Sequence, residues 1–417
     1  MLRCVTRTSG RHGPERDGGT GRPAGSAPAA RSILGYMTEE RESSQPRTPH
    51  SSAWWKGVVA GAAILLGGGA LVISLSSGSR RPSSNGPTRR SVVAEHKTPL
   101  SIPRHASVSA PGVLIIDRNL PDPAVVEVRG RFYMYSSQTG FATPPVSLTT
   151  SKGTTLFHWN KTATALSTVP SWAETGFTWA PDVRFIDGRY VMYFDAWAEK
   201  SMFFLANETG FAQRAQCIGV ATARQPTGPF KVVAGPPLVC QFNHHGAIDP
   251  RSFVAPDGKL FLDWKSDDNA SPGSPPTHLW AQELSADGEA LVGTRHLLMS
   301  GSRHIWNGGL IEAPDMVYAE KAYWLFYSGS WFNTPGYSIG VAKCAGPVGP
   351  CQAISPRPWL TTNSEGKGPG EESLFRDTQG WWMVYSPWSL YAHDYRPVEL
   401  AKVYFAPSGP YLAKFSP

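Results

Sequence analysis

Residues 178–195 read TWAPDVRFIDGRYVMYFD: an acidic residue beside a proline, an apolar strand, a tight turn at Asp187-Gly188, and a second strand of alternating aromatics. Two such runs joined by a glycine turn signal a β-hairpin, because glycine tolerates the positive φ that the turn requires. The same unit recurs on both sides. Upstream lies LPDPAVVEVRGRFYMYSS (120–137); downstream follow AIDPRSFVAPDGKLFLDWKS (247–266), IEAPDMVYAEKAYWLFYSGS (311–330) and PGEESLFRDTQGWWMVYSPW (369–388). Four of the reversals carry glycine, at Gly130, Gly188, Gly258 and Gly380, whereas the fourth unit has Glu320-Lys321 at its turn.

The acidic positions Asp122, Asp182, Asp249, Asp315 and Glu372 are 60, 67, 66 and 57 residues apart. That period suits a four-stranded propeller blade with long rim loops and is too long for leucine-rich or ankyrin units. The sequence therefore predicts an all-β, five-bladed β-propeller over residues 111–417, a single ring despite its length. Inner strands of a propeller start near the central axis, so equivalent acidic residues would ring one mouth of the channel. A lone Asp beside proline commonly only caps a turn. Several converging carboxylates repel one another, which calls for a cation, shared protons or chemistry that uses the perturbed groups.

The 417-residue chain carries a formal charge of +7, but that charge is not in the repeats. Residues 1–104 hold 15 Lys and Arg against 6 Asp and Glu, and the remainder hold 24 against 26. The repeat region thus has no excess charge for a polyanion, and nucleic acid is excluded as a partner. From Gly57 to Ser76 the chain has no charged residue, enough to span roughly 30 Å as a helix. Trp54, Trp55 and Lys56 precede it as a headgroup-level collar. We expect a membrane span or uncleaved signal anchor at 53–77, with a cleaved signal peptide as the alternative. It would be flanked by a disordered basic tail at 1–52 and a disordered linker at 78–110. Basic residues on both sides leave its orientation open. Cys217/Cys240 and Cys344/Cys351 form two close pairs without metal-finger spacing. Two disulfides would place the body outside the cytoplasm, whereas four reduced, buried thiols would carry no such implication.

Taken in order, LPDPAVV, TWAPDV, GAIDPRSF and IEAPDM resemble glycoside hydrolase family 43, five-bladed propeller enzymes that include arabinofuranosidases, arabinanases and β-xylosidases. The resemblance spans about residues 113–405. It implies that Asp122 is the general base, that Asp249 tunes the acid and orients substrate, and that Glu312 is the general acid. Glycoside cleavage passes through an oxocarbenium-like state, so the acid must hold a proton for the leaving oxygen while the base activates water. Inversion is implied by the family and not by spacing. Relatives often carry Gly-x-Gly-His in the last blade; here the stretch is GPGEES, which puts Glu371 at that place. No cofactor is required, but Glu371 could ligate a structural Ca²⁺ in the channel. The IEAPDM motif favours arabinofuranosyl over xylosyl substrates.

For substrate contacts the sequence offers Trp179, Asp182, His245, Trp264 and Trp331, with Trp388 also near the end of a repeat. Flat indole faces suit sugar rings. Trp324, Trp381 and Trp382 alternate within strands and read as core. His244-His245 lacks a third ligand at metal spacing, so it reads as a loop near the pocket that touches sugar hydroxyls. These observations predict a membrane-anchored, extracytoplasmic glycoside hydrolase acting on a polysaccharide or oligosaccharide. The competing reading is a non-catalytic carbohydrate-binding propeller at the cell surface, which should lack at least one of the three carboxylates; all three are present. A fructan-acting propeller would carry N-D-P, R-D-P and E-C, where this chain has P-D-P, I-D-P and I-E-A.

Overall fold

The computed structural model describes residues 112–413, apart from 139–145, 161–162, 200–214, 271–275, 364–365 and 389–394. The tail, apolar segment and linker expected at 1–110 lie outside these residues, as does most of the rim loop 197–216. Among the described residues no helix is long and apolar enough to cross a membrane.

The described chain is a five-bladed, all-β propeller. Blade one contains β2 (Ala124–Val128), β3 (Arg131–Ser136), β4 (Ser147–Thr150) and β5 (Ala163–Thr164). Blade two contains β6 (Trp179–Ile186), β7 (Arg189–Trp197), β8 (Gln216–Ala223) and β9 (Lys231–Val232). Blade three contains β10 (Ala247–Val254), β11 (Leu260–Ser266), β12 (His278–Leu284) and β13 (Leu291–Ser300). Blade four contains β14 (Ile311–Ala319), β15 (Ala322–Gly329), β16 (Ser338–Cys344) and β17 (Cys351–Ala353). Blade five is built from β18 (Ser373–Asp377), β19 (Gly380–Tyr385) and β20 (Val398–Ala406). Both ends of the described chain finish it. β1 (Gly112–Ile116) pairs with Val398–Ala401, and β21 (Gly409–Ala413) pairs with 402–406. The ring is thereby closed by hydrogen bonds between distant parts of the sequence.

Alternation along the strands puts apolar side chains on both faces of each blade, and they meet in five clusters, one per blade interface. Met192 and Phe194 pack against Tyr135 between blades one and two; Phe132 and Met134 pack against Phe375 and Val384 between five and one. Trp324, Met383 and Tyr385 fill the wedge between blades four and five. Trp324 and Trp382 are buried, as their strand alternation predicts. Cys217 is bonded to Cys240, tying β8 to the segment that enters blade three, and Cys344 is bonded to Cys351 across β16 and β17.

The repeat has a different phase from the one its acidic residues suggest. Each inner strand begins at a non-glycine residue with positive φ: Asp122 (56°), Ala180 (43°), Asp249 (54°), Ala313 (49°) and Glu371 (55°). In blades two, three and four this residue lies in a β-bulge, where the register with the next strand slips. A bulge re-aims a side chain and bends its strand. The first four are followed by proline, whose fixed φ helps to set the kink. Asp182 and Asp315 sit two residues beyond the bulge, and Glu372 one beyond it, so these three acids leave the mouth and turn into blade interfaces. Asp182 accepts the backbone N–H of Ser252 (2.9 Å), Asp315 that of Leu374 (2.7 Å), and Glu372 the hydroxyl of Ser328 (2.6 Å).

The glycine-free turn of blade four closes regardless. Glu320 and Lys321 take φ of 48° and 60°, and Ala319 still pairs with Ala322. The left-handed region costs a residue with a Cβ roughly 1–2 kcal/mol. Lys321→Gly should therefore raise stability by about 1 kcal/mol or less, after glycine's own entropy cost, a shift of at most a few degrees in thermal unfolding. A fall in melting temperature would show that the Lys321 side chain contributes more than its backbone strain removes.

Candidate active site

The bulges decide which side chains face the axis. At three interfaces the N–H of the positive-φ residue donates to a side chain of the preceding blade: Ala180 to Ser137 Oγ (2.8 Å), Asp249 to Asp195 Oδ2 (3.2 Å) and Glu371 to Ser328 Oγ (2.9 Å). Blade three carries Lys265 at the place of those acceptors. An ammonium has no lone pair to offer, so the Ala313 N–H donates to Asp249 Oδ2 instead (3.0 Å). Lys265 is left for Glu312, the residue before that bulge, and its Nζ stands 3.1 Å from Glu312 Oε2 and 3.4 Å from Asp267 Oδ1.

Asp249, Glu312 and Glu371 each bring one oxygen within 4.8 Å of the others, and all three are buried. Asp122 joins them from blade one. It accepts a hydrogen bond from Ser137 Oγ and an ion pair from Arg396 (3.3 Å). Arg396 lies over the rings of Tyr337 and Trp388, at 5.9 and 5.8 Å from their centres, and Tyr337 donates its hydroxyl to Glu371 Oε1 (2.6 Å). Of the three carboxylates named from the sequence, Asp249 and Glu312 share one buried cluster with Glu371, and half-buried Asp122 is linked to it through Arg396 and Tyr337.

The electrostatics follow from burial and crowding. Burial pushes Asp249 well above the usual carboxylate range, with the charge of Glu312 adding and Lys265 opposing. Glu371 is pushed up by burial and then by Asp249, Asp122 and Glu312, against Arg396. Asp195, wholly buried behind Asp249, is raised mainly by burial, as is Asp267. Burial would lower the Lys265 pKa, but the carboxylates of Glu312, Asp267 and Asp249 outweigh it, and the ammonium titrates above its ordinary range. Burial first, and then the excess of carboxylates over cations, favours the protonated forms of Asp249 and Glu371.

All donors in the cluster are oxygen, which fits a hard cation by ligand type. Lys265, the Ala313 N–H and Tyr337 already occupy one oxygen of Glu312, Asp249 and Glu371 respectively, and Glu371 Oε2 is buried without a partner. A Ca²⁺ here would rest on Glu371 first and would compete with Lys265 for Glu312. Below the cluster Arg251 is buried and donates to the carbonyls of Pro181 (3.1 Å) and Pro123 (3.4 Å), bridging blades one, two and three.

Of the expected substrate contacts, Trp179 stands one residue before the blade-two bulge, as Glu312 does in blade four. It packs edge-on to Phe177 and Trp197, which stack at 4.4 Å. Trp331 is exposed, and its neighbour Phe332 leans on Trp388, whose indole N–H donates to the Phe332 carbonyl. His245 is a left-handed residue that ends a turn. Trp264 departs from expectation: it is fully buried between blades two and three and donates to Gln241 Oε1 (2.6 Å), so it presents no face to a sugar. Asp182 likewise serves the blade-two to blade-three joint. Sequence reasoning missed Lys265, Arg396, Asp195 and Tyr337. The signal for Lys265 was a lysine alternating with Leu262 and Trp264 inside an apolar strand.

The family model for glycosyl hydrolases family 43 matches residues 113–410, and the chain belongs to this family. It is 27% identical over 297 residues to an extracellular endo-α-(1→5)-L-arabinanase of Bacillus subtilis, covering 62% of this chain and 55% of that enzyme. To the β-D-galactofuranosidase xynD of Aspergillus niger it is 26% identical over 267 residues, covering 62% of this chain and 71% of the relative. The chain thus spans about half the length of the arabinanase. A crystal structure of a thermostable family-43 glycoside hydrolase superposes with a TM-score of 0.61 at 24% identity, covering 72% of this chain and 95% of that one.

Burial pushes Asp315 up to about 7, against Arg251 and the Leu374 N–H. An unfolded Asp titrates near 3.9. Folding thus disfavours its ionised form, and the stability present below about pH 4 is lost as pH rises through about 7. Asp315→Asn keeps the acceptor for Leu374 and removes the titration. Its melting temperature should fall less between pH 5 and pH 8 than that of the parent; an equal fall would show that Asp315 does not titrate in this range.

Proposed function

We propose that the protein is an inverting glycoside hydrolase that cleaves arabinofuranosyl linkages, with xylosyl linkages as the second choice. The carrying observation is that Asp249 and Glu312 meet in one buried cluster with Glu371, to which Asp122 is linked through Arg396 and Tyr337. Glu312 gives a proton to the leaving oxygen. Asp249, which holds the backbone behind Glu312, tunes it through their mutual charge. Asp122, fixed by Ser137 and Arg396, takes a proton from the attacking water. Water adds to the anomeric carbon as the bond to the leaving oxygen breaks, so one proton is received by Asp122 and one is given by Glu312.

The reading requires no cofactor; a structural Ca²⁺ would be held by Glu371 with Asp249 and Glu312. Trp179 and the Trp331–Trp388 side offer aromatic faces for sugar rings. The arabinanase name of the Bacillus relative supports an arabinose-containing substrate, as does the IEAPDM motif. A non-catalytic carbohydrate binder is the alternative, and retention of every carboxylate together with Lys265 favours the enzyme. We further propose that Gly57–Ser76 anchors the protein in a membrane with the propeller outside the cytoplasm. The charge-free run and the two disulfides support that placement.

Asp122→Asn and Glu312→Gln should each lower kcat on arabinan by about 10²–10⁴-fold, read as reducing sugar released by the full-length protein, with the native β-sheet circular dichroism retained. Near-normal turnover in either variant would overturn the assignment of acid and base.

A further inference from the structure

His244, Asp268 and His278 meet on the rim of blade three, although 24 and 10 residues separate them in order along the chain. One ligand atom from each lies within 4.8 Å of the other two. His244 Nδ1 stands 3.0 Å from Asp268 Oδ1. Two ligands at about 2.0–2.1 Å from one tetrahedral ion are themselves roughly 3.3 Å apart, so this pair needs little movement to share a cation in place of a proton.

The surroundings are built rather than incidental. Asp268 is 3% exposed, and its second oxygen accepts the Ser266 hydroxyl (2.5 Å). Ser266 Oγ also accepts the backbone N–H of His278 (3.0 Å), so one side chain orients two of the three ligands. His278 Nδ1 contacts Ser300 Oγ (2.7 Å), an arrangement that fixes an imidazole through one nitrogen and leaves the other for a metal. The Trp280 ring, 5.7 Å from His244 and 5.9 Å from His278, forms an apolar wall.

We propose that His244, Asp268 and His278 form a binding site for a divalent transition-metal ion of the Zn²⁺ class. Two imidazoles and one carboxylate suit Zn²⁺, Co²⁺ or Ni²⁺ and are poor ligands for Ca²⁺ or Mg²⁺. The site is distinct from the oxygen-only cluster at the axis. Its ligands adjoin His245 and Asp267, so the ion would staple the turns that carry these two pocket residues to β12.

The test is a Co²⁺ titration of chelator-treated full-length protein in detergent, followed by visible absorption. One equivalent should bind with a ligand-field band that Zn²⁺ abolishes and Ca²⁺ leaves unchanged, and Zn²⁺ should raise the melting temperature by a few degrees. His278→Ala and Asp268→Asn should each eliminate the band, with metal-free melts like that of the parent. Ser266→Ala, which removes only the orienting hydroxyl, should weaken binding by about 10–100-fold. If His278→Ala does not fold, His244→Gln makes the same comparison at a partly exposed ligand. Absence of a saturable band in the parent, or a band that survives unchanged in the folded ligand variants, would overturn the proposal.

Discussion

A kink at the start of each inner strand is the constraint on which the rest depends. Five residues other than glycine hold positive φ there, a conformation that costs free energy and persists only where neighbouring structure enforces it. The enforcement is visible at the joints between blades, where the N–H freed by the kink finds a side-chain acceptor on the preceding blade. Kink and joint are one device. Turning Asp122, Asp249 and Glu371 toward the axis also fastens blade to blade, so the site cannot be loosened without loosening the ring.

Blade three breaks the pattern at Lys265. A lysine in place of an acceptor forces the next kink onto Asp249 and leaves a buried ammonium beside Glu312. Buried charge is tolerated only when paired, and Lys265 answers to Glu312, Asp267 and Asp249. The arrangement couples Glu312 to Asp249 through both backbone and charge. Arg396 plays the corresponding part for Asp122, on the other side of the pocket. Burial holds Asp249 and Glu371 above their ordinary range, and the carboxylate repulsion that the two cations leave uncompensated adds to it.

Much of this was legible in the chain. Five hairpins at a 57–67-residue period fixed the number of blades, and the order of the motifs located Asp122, Asp249 and Glu312. The phase of the ring was misread because acidity was taken as the repeating feature. Proline was the better marker: Asp122-Pro123, Ala180-Pro181, Asp249-Pro250 and Ala313-Pro314 align the kinks, and the alanines show that the position needs a backbone shape rather than a carboxylate. Trp264 was read as a sugar platform because it stands near the end of a repeat, a position that does not record what covers the ring. Arg396 and the trio of His244, Asp268 and His278 were beyond reach for another reason. Their partners are brought together by ring closure and by rim loops, and no local periodicity records either.

The account stands or falls on bond cleavage. Full-length protein incubated with arabinan, arabinogalactan and xylan, with the products separated by chromatography, measures it directly. Arabinose or arabino-oligosaccharides should appear from the arabinofuranose-bearing polymers, with less or nothing from unbranched xylan. Retention of the polymers by the protein without release of any sugar would contradict the account and leave a binding propeller in its place.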